Sequence, residues 1–242
     1  MHTPLHNFFV MQNNVVESRH KKQVTYINKL LRRLGFWHQL TPVLNPMVEM
    51  STIEHRINFY HLLVSVIENN IEGEIVELGS FTGQCGIFFK KTCNMHKSAK
   101  TLHLYDSFEI KFGHKKNIEQ ELIDNFMKNN LELPVIHKGN FNKTIPHQLP
   151  EKIAFAHIDC GFGGDKNEHK QIMLFCLRHI YNRLSKGGIC MLMDYHDAHL
   201  YDPGIDCNPG VKLACDDFFA DKPESVISLY ANQASHGYFK KI

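Results

Sequence analysis

Residues able to do chemistry fall at the ends of short apolar runs. Glu74-Ile75-Val76-Glu77-Leu78 leads into Gly79-Ser80-Phe81-Thr82-Gly83, a G-x-x-x-G turn that allows a ligand close to the backbone at the start of a helix. The spacing is neither the dinucleotide G-x-G-x-x-G nor a phosphate loop with its Gly-Lys-Ser/Thr ending, so a nicotinamide dehydrogenase is disfavoured. Thr101-Leu102-His103-Leu104-Tyr105 ends in Asp106, 29 residues beyond Glu77, where a carboxylate can accept hydrogen bonds from two ribose hydroxyls. Later runs end in Asp159 and in Asp194-Tyr195-His196. An imidazole there suits proton transfer near neutral pH, so His196 is a candidate general base that needs no metal. The stretch His196-Asp197-Ala198-His199 equally admits an imidazole-preferring divalent ion, or ordinary loop histidines.

Positioning these groups requires strands and helices in alternation. Apolar runs at 74–78, 101–105, 133–137, 153–158 and 188–193 predict five strands, with Pro134 placing the third near an edge or at a strand start. Helical stretches at 85–94, 117–129 and 168–184 lie between them. The pattern predicts an α/β, Rossmann-like, mostly parallel sheet with helices on both faces and ligands off the carboxyl ends of the strands. Upstream, Val24, Ile27, Leu30, Leu31 and Leu34 recur at helical spacing among Arg19, Lys22, Lys29, Arg32 and Arg33, and Ser51 stands three residues before Glu54 as a capping box opening a helix to about Glu68. Residues 1–70 are therefore expected to form an N-terminal helical elaboration or lid over the acceptor pocket, beginning with a tail over 1–15. Residues 71–242 form the ligand-binding domain.

Composition narrows the partners. Among 242 residues, 43% are hydrophobic and 21% charged, as in a soluble globular protein. Lys+Arg 27 against Asp+Glu 25 leaves +2, which argues against a nucleic-acid binder. Seven cysteines, an odd number with no C-x-x-C, read as reduced thiols filling a core, and the expected compartment is cytoplasmic. No leader pattern and no membrane-length apolar run is evident. Of 17 histidines, His103 and His157 interrupt predicted strands and are expected to be hydrogen-bonded there; His20, His38, His96, His114, His137 and His147 read as surface or loop positions.

The chain resembles the class I S-adenosylmethionine-dependent methyltransferases, and more narrowly the macrocin O-methyltransferase family of sugar methyltransferases. The segments that carry the resemblance run in order from about residue 50 to 242. They are Ile75 to Gly83, Tyr105-Asp106-Ser107-Phe108, Lys138-Gly139-Asn140-Phe141-Asn142-Lys143-Thr144-Ile145-Pro146, Ala156-His157-Ile158-Asp159, Gly187-Gly188 leading to Asp194-Tyr195, Pro209-Gly210-Val211-Lys212, and Asp217 to Glu224.

The resemblance implies O-methylation of a sugar hydroxyl or glycosylated small molecule in natural-product or glycan biosynthesis, with S-adenosylmethionine as cofactor, no nucleic-acid or membrane partner, and room for a homo-oligomer. Glu77, Gly79, Ser80 and Gly83 would bracket the methionine part of the cofactor, Asp106 and Ser107 its ribose, and Gly139, Asn140 and Phe141 its adenine, with core packing the alternative for Phe141. Asp159 would face the transferred group, and Asp159, Asp194 and His196 would carry the chemistry. In the family, further carboxylates beside Asp159 and Asp194 hold Mg²⁺. Here those positions are Gly161 and Met193, so a Mg²⁺ or other divalent site would rest on Asp159 and Asp194, with Asp165 of the glycine-rich loop as one substitute. The missing carboxylates leave open N-methylation, another metal-independent methyl transfer on the same fold, or a non-catalytic cofactor-binding subunit.

Overall fold

The computed structural model describes residues 18–40, 51–112, 117–161, 164–200, 206–231 and 235–242; the tail expected over 1–15, His20's side chain and His114 lie outside the described residues. The chain divides into two compact units, residues 1–52 and 53–242. In the first, α1 (Ser18–Arg33) spans the predicted amphipathic stretch. The Asn28 side chain anchors the segment after it, donating to the Leu40 carbonyl at 2.8 Å and accepting from the Leu40 N–H at 2.7 Å.

The second unit begins with α2 (Ile53–Glu68), which packs on the sheet and on the helix that follows. Phe59, Leu63 and Val66, at helical spacing, are its fully buried stripe. The sequence grouped this helix with the N-terminal elaboration, whereas its apolar stripe makes it part of the sheet unit. Next come β1 (Glu74–Leu78), α3 (Gln84–Met95), β2 (Leu102–Asp106), α4 (Ile118–Lys128), β3 (Val135–Lys138), the short α5 (Phe141–Thr144) and β4 (Ile153–Ile158). They are followed by α6 (Lys166–Arg183), β5 (Leu184–Leu192), α7 (Gly210–Phe219), β6 (Ile227–Leu229) and β7 (His236–Lys240).

The strands form one sheet in the order β3-β2-β1-β4-β5-β7-β6. The first five pair in parallel, and β7 runs antiparallel to both β5 and β6. All six residues of β4 are buried, because helices cover both faces, and this is why it reads as an unbroken apolar run. β3 lies at the sheet edge, where Pro134 just before it removes no ladder donor that a neighbour needs. The chain reverses direction in strand order between β1 and β4, and the crevice at such a switch point is where ligands sit in open α/β sheets.

The reversed hairpin β6–β7 was not expected. Its strands are short, and His236-Gly237-Tyr238-Phe239-Lys240 shows no clean alternation. It matters because Gly237 pairs with Leu192, so β7 starts at the carboxyl end of β5. The residue just before it, Ser235, is thereby delivered to the mouth of the sheet.

Candidate active site

The parallel ladder carries on past the strand ends. The Gly79 N–H donates to the Tyr105 carbonyl at 2.8 Å, Asp159 N–H to Leu78 at 2.8 Å, and Met193 N–H to Ile158 at 2.9 Å. Gly79, Asp159 and Asp194 are therefore held at one end of β1, β4 and β5. A Cβ on Gly79, whose φ is +88°, would lie 1.7 Å from the Asp159 carbonyl oxygen. The glycine is thus required by contact between two strand ends, before any ligand arrives. Gly83, at φ +80°, caps α3, and a Cβ there would meet Leu122 of α4 at 2.9 Å.

Asp106 fastens this loop. Its Oδ2 accepts from the Ser80 and Phe81 N–H groups at 2.9 and 2.8 Å, and its Oδ1 from the Phe108 N–H at 2.7 Å. A carboxylate offers about four acceptor positions, so capacity remains for a hydroxyl beside these three bonds. Ser107 follows, with its Oγ accepting from the Glu109 N–H at 3.3 Å. On the far side of the loop Glu77 is buried; its Oε1 meets His157 Nδ1 at 3.0 Å, and burial raises its pKa against the opposing pull of His157. Thr82 Oγ1 is buried without a hydrogen-bond partner, and the Ser80 hydroxyl lies beside the Glu77 carboxyl and opposes the rise in its pKa. A buried hydroxyl left unsatisfied in this turn is a place for a polar ligand. Beyond β3, Asn140 is exposed and Phe141 packs half-buried against the core.

At the mouth, Asp159 is half-buried and its pKa is pushed up, first by burial and then by the neighbouring Asp194 carboxylate. Burial also raises Asp194, but the Asn208 side chain opposes the shift: its Nδ2 donates to Asp194 Oδ2 at 2.6 Å. Burial thus raises both carboxyls, with the Asn208 bond opposing the rise at Asp194 and the Asp194 charge adding to it at Asp159. Asp194 also sits at φ +58°, a left-handed conformation that non-glycine residues adopt at a cost and that clusters at functional sites.

His196, two residues on, is buried. Its Nδ1 lies 2.9 Å from Ser235 Oγ, and Ser235 Oγ donates to the Tyr195 carbonyl at 2.9 Å. With its single proton committed to that carbonyl, the serine can only accept from the ring. His196 Nδ1 therefore carries the hydrogen, and Nε2 is the basic nitrogen. His199, by contrast, is exposed, and its N–H is taken by Asp197 Oδ1 at 3.0 Å.

Two residues lie elsewhere than expected. Asp165 does not swing toward Asp159: it caps α6, its Oδ1 accepting from Asn167 and Glu168 N–H at 2.8 and 3.1 Å. The pattern Asp165-x-x-Glu168 announces that cap in the sequence. His137, read as a surface residue, lies on β3, stacked on Tyr105 with ring centroids 4.2 Å apart and with Nε2 3.1 Å from His103 Nδ1. Asn208 and Ser235 were missed, since an amide and a hydroxyl far along the chain from the groups they serve carry no motif.

A family model described as Macrocin-O-methyltransferase (TylF) matches residues 7–202. The chain belongs to the macrocin O-methyltransferase family. It is accordingly an S-adenosylmethionine-dependent methyltransferase-family enzyme, and the match reaches into the N-terminal segment while stopping short of the resemblance noted over 209–224. The fold is shared with solved methyltransferase structures. The O-methyltransferase NovP is 21% identical over 83% of this chain and 84% of that chain, with a TM-score of 0.64. CalS11, described as a TDP-rhamnose 3'-O-methyltransferase of calicheamicin biosynthesis, is 15% identical over 93% and 96%, TM-score 0.55. Podospora anserina PaMTH1, bound to S-adenosylhomocysteine, is 12% identical over 80% and 80%, TM-score 0.54. At such identities these structures establish the common fold. No curated protein sequence matches the chain. Among the described residues, no helix is long and apolar enough to cross a membrane.

For this macrocin O-methyltransferase family member, the two groups implied by its family fare differently. The loop residues fit S-adenosylmethionine: Thr82 presents an unsatisfied buried hydroxyl, and Asp106 keeps lone pairs for hydroxyls. At the Asp159–Asp194 mouth Gly161 and Met193 bring no carboxylate; the oxygen-bearing side chains there are Asp159, Asp194, the Asn208 amide that faces Asp194, and Asp206, whose charge acts on Asp194. The three metal-ligating side chains that do cluster among the described residues, Glu77, Cys85 and His157, lie at another place, with Glu77 and His157 in the core and already joined to each other.

Proposed function

We propose that the enzyme transfers a methyl group to a hydroxyl of a sugar, or of a glycosylated small molecule, with His196 as general base. The observation that carries this reading is the Ser235–His196 bond: with Ser235 donating to Tyr195, it supports the tautomer protonated at Nδ1, in which Nε2 is the basic nitrogen. A sugar hydroxyl is weakly acidic, so its proton must be received as the oxygen attacks. S-adenosylmethionine supplies a methyl on a sulfonium whose sulfur departs as a neutral thioether. The chain's part is to hold the acceptor oxygen in line and accept its proton. Asp194, oriented by Asn208, and Asp159 take hydrogen bonds with neighbouring hydroxyls of the acceptor. Glu77, Gly79, Ser80 and Gly83 bracket the amino-acid end of the cofactor, Asp106 and Ser107 its ribose, and Asn140 and Phe141 its adenine.

Membership of the macrocin O-methyltransferase family and the TDP-rhamnose acceptor of CalS11 support a sugar acceptor. A net charge of +2 fits a small acceptor better than a nucleic acid. The test is incubation with S-adenosylmethionine and a panel of nucleotide-linked deoxysugars and glycosylated small molecules, read by mass spectrometry and NMR. A singly O-methylated product is expected. N-methyl products, or none across the panel from a protein that binds cofactor, would contradict the proposal.

A further inference from the structure

Basic and acidic side chains are unevenly divided along the chain. Six of the 27 lysines and arginines fall within residues 1–48, against one of the 25 acids, Glu17, and the stretch from Ser18 to Val48 holds no acidic residue. Helix α1 lies in this stretch, and its two faces differ. Ile27, Leu30, Leu31 and Leu34 recur at i, i+3, i+4 and i+7, while Lys22, Lys29 and Arg33 fall on the opposite side. Such an apolar stripe ordinarily faces a core. Here Ile27, Leu30 and Leu34 are exposed, Leu34 to 62%, and so are the three basic residues.

The end of the helix adds exposed aromatic rings. Gly35, at φ +78°, stops the helix in a left-handed turn in which the Phe36 N–H donates to the Leu31 carbonyl at 3.0 Å. The two bonds between Asn28 and Leu40 then fold the following segment back alongside the helix. On that segment Phe36 and Leu40 are exposed, and Trp37 is 98% exposed. A nucleic acid would satisfy the cations and leave the apolar stripe in water. A second copy of α1 would cover the stripe while adding its own cations to a helix that has no anions. An anionic lipid surface satisfies both faces: the stripe enters the acyl boundary, lysines and arginines meet the headgroups, and tryptophan sits between them.

We infer that residues 18–40 bind an anionic lipid surface, with α1 lying in its plane and Trp37 entering the headgroup region. The family resemblance implied no membrane partner, and the exposed stripe is the observation that departs from it. The inference stands apart from the identity of the methyl acceptor.

The probe is the full chain with vesicles of phosphatidylcholine, alone or mixed with phosphatidylserine. Trp37 is the single tryptophan, so its fluorescence reports on this element alone. Vesicles carrying phosphatidylserine are expected to sediment the protein and shift its emission to the blue, with binding weakened by salt. Each basic side chain near such a surface strengthens binding about fivefold, so Lys22→Gln/Arg33→Gln, at two exposed positions, should bind about tenfold or more weakly. Leu30→Gln/Leu34→Gln should lose the emission shift, with circular dichroism and S-adenosylhomocysteine calorimetry as in the wild type. A wild-type chain that neither sediments nor changes its emission would overturn the inference, as would equal binding to phosphatidylcholine alone. A blue shift that grows with protein concentration without lipid would assign the stripe to self-association instead, and binding to a polyanionic RNA in place of vesicles would assign the cations to nucleic acid.

Discussion

Ser235 Oγ accepts from His196 Nδ1 at 2.9 Å and gives its own proton to the carbonyl of Tyr195, also at 2.9 Å. The pair joins residues 39 positions apart. It exists because β7 runs antiparallel to β5 and begins where β5 ends. Ser235→Ala removes the hydroxyl that supports this tautomer. Single-turnover methyl transfer to an acceptor from the panel is expected to fall roughly tenfold, against about 10²-fold or more for His196→Ala. Calorimetry should find the affinity for S-adenosylhomocysteine unchanged in both. Unaltered rates would remove the pair from the chemistry.

Asp106→Asn tests the fastening of the glycine loop. The carboxylate accepts from the N–H groups of Ser80, Phe81 and Phe108, and an amide can present only one acceptor oxygen to them. Loss of one charge-assisted bond, about 1.5–3 kcal/mol, should weaken cofactor binding tenfold or more in a titration. Gly79→Ala should act on stability instead, because its Cβ would meet the Asp159 carbonyl at 1.7 Å at φ +88°. A loss of at least about 3 kcal/mol is expected in denaturant unfolding.

Acid should loosen the sheet unit through His236. It is fully buried, and Asn58 Nδ2 donates to its Nε2 at 3.2 Å, which requires a neutral ring. Burial, and then His55 and His157, push its pKa down to about 2 from 6.5. The unfolded chain binds the proton more readily, so this stability is fully present above 6.5 and is lost as pH falls toward the folded value. The slope is at most about 1.4 kcal/mol per pH unit. Thermal unfolding from pH 7 to 5 should show the decline, and His236→Asn should flatten it.

Cofactor binding should survive removal of residues 1–52. Every residue assigned to the cofactor lies in the unit 53–242, which has its own sheet and core. Calorimetry on residues 53–242 is expected to give the affinity of the full chain within about threefold, under 0.7 kcal/mol. A complete loss from a folded fragment would show that the first 52 residues hold the cofactor themselves.

Much of this arrangement was legible in the sequence for a definite physical reason. Strands such as Ile153–Ile158 are covered on both faces and read as apolar runs, so their ends, and with them Asp106, Asp159 and Asp194, could be located by position alone. What escaped notice depends on tertiary closure. Ser235 acquires meaning only when β7 reverses beside β5. Asn208 acquires it only because Gly161 leaves space. Asp165 differs: with Glu168 three residues on, it spells a helix cap in the sequence itself, and that local bond holds its carboxylate away from the strand ends.

The central claim is tested most directly by isothermal titration of the purified chain with S-adenosylhomocysteine. Saturable binding at one site per chain, weakened by Asp106→Asn and unchanged by His196→Ala, is the result predicted here. A folded protein that gives no saturable heat, or whose binding ignores Asp106, would contradict it.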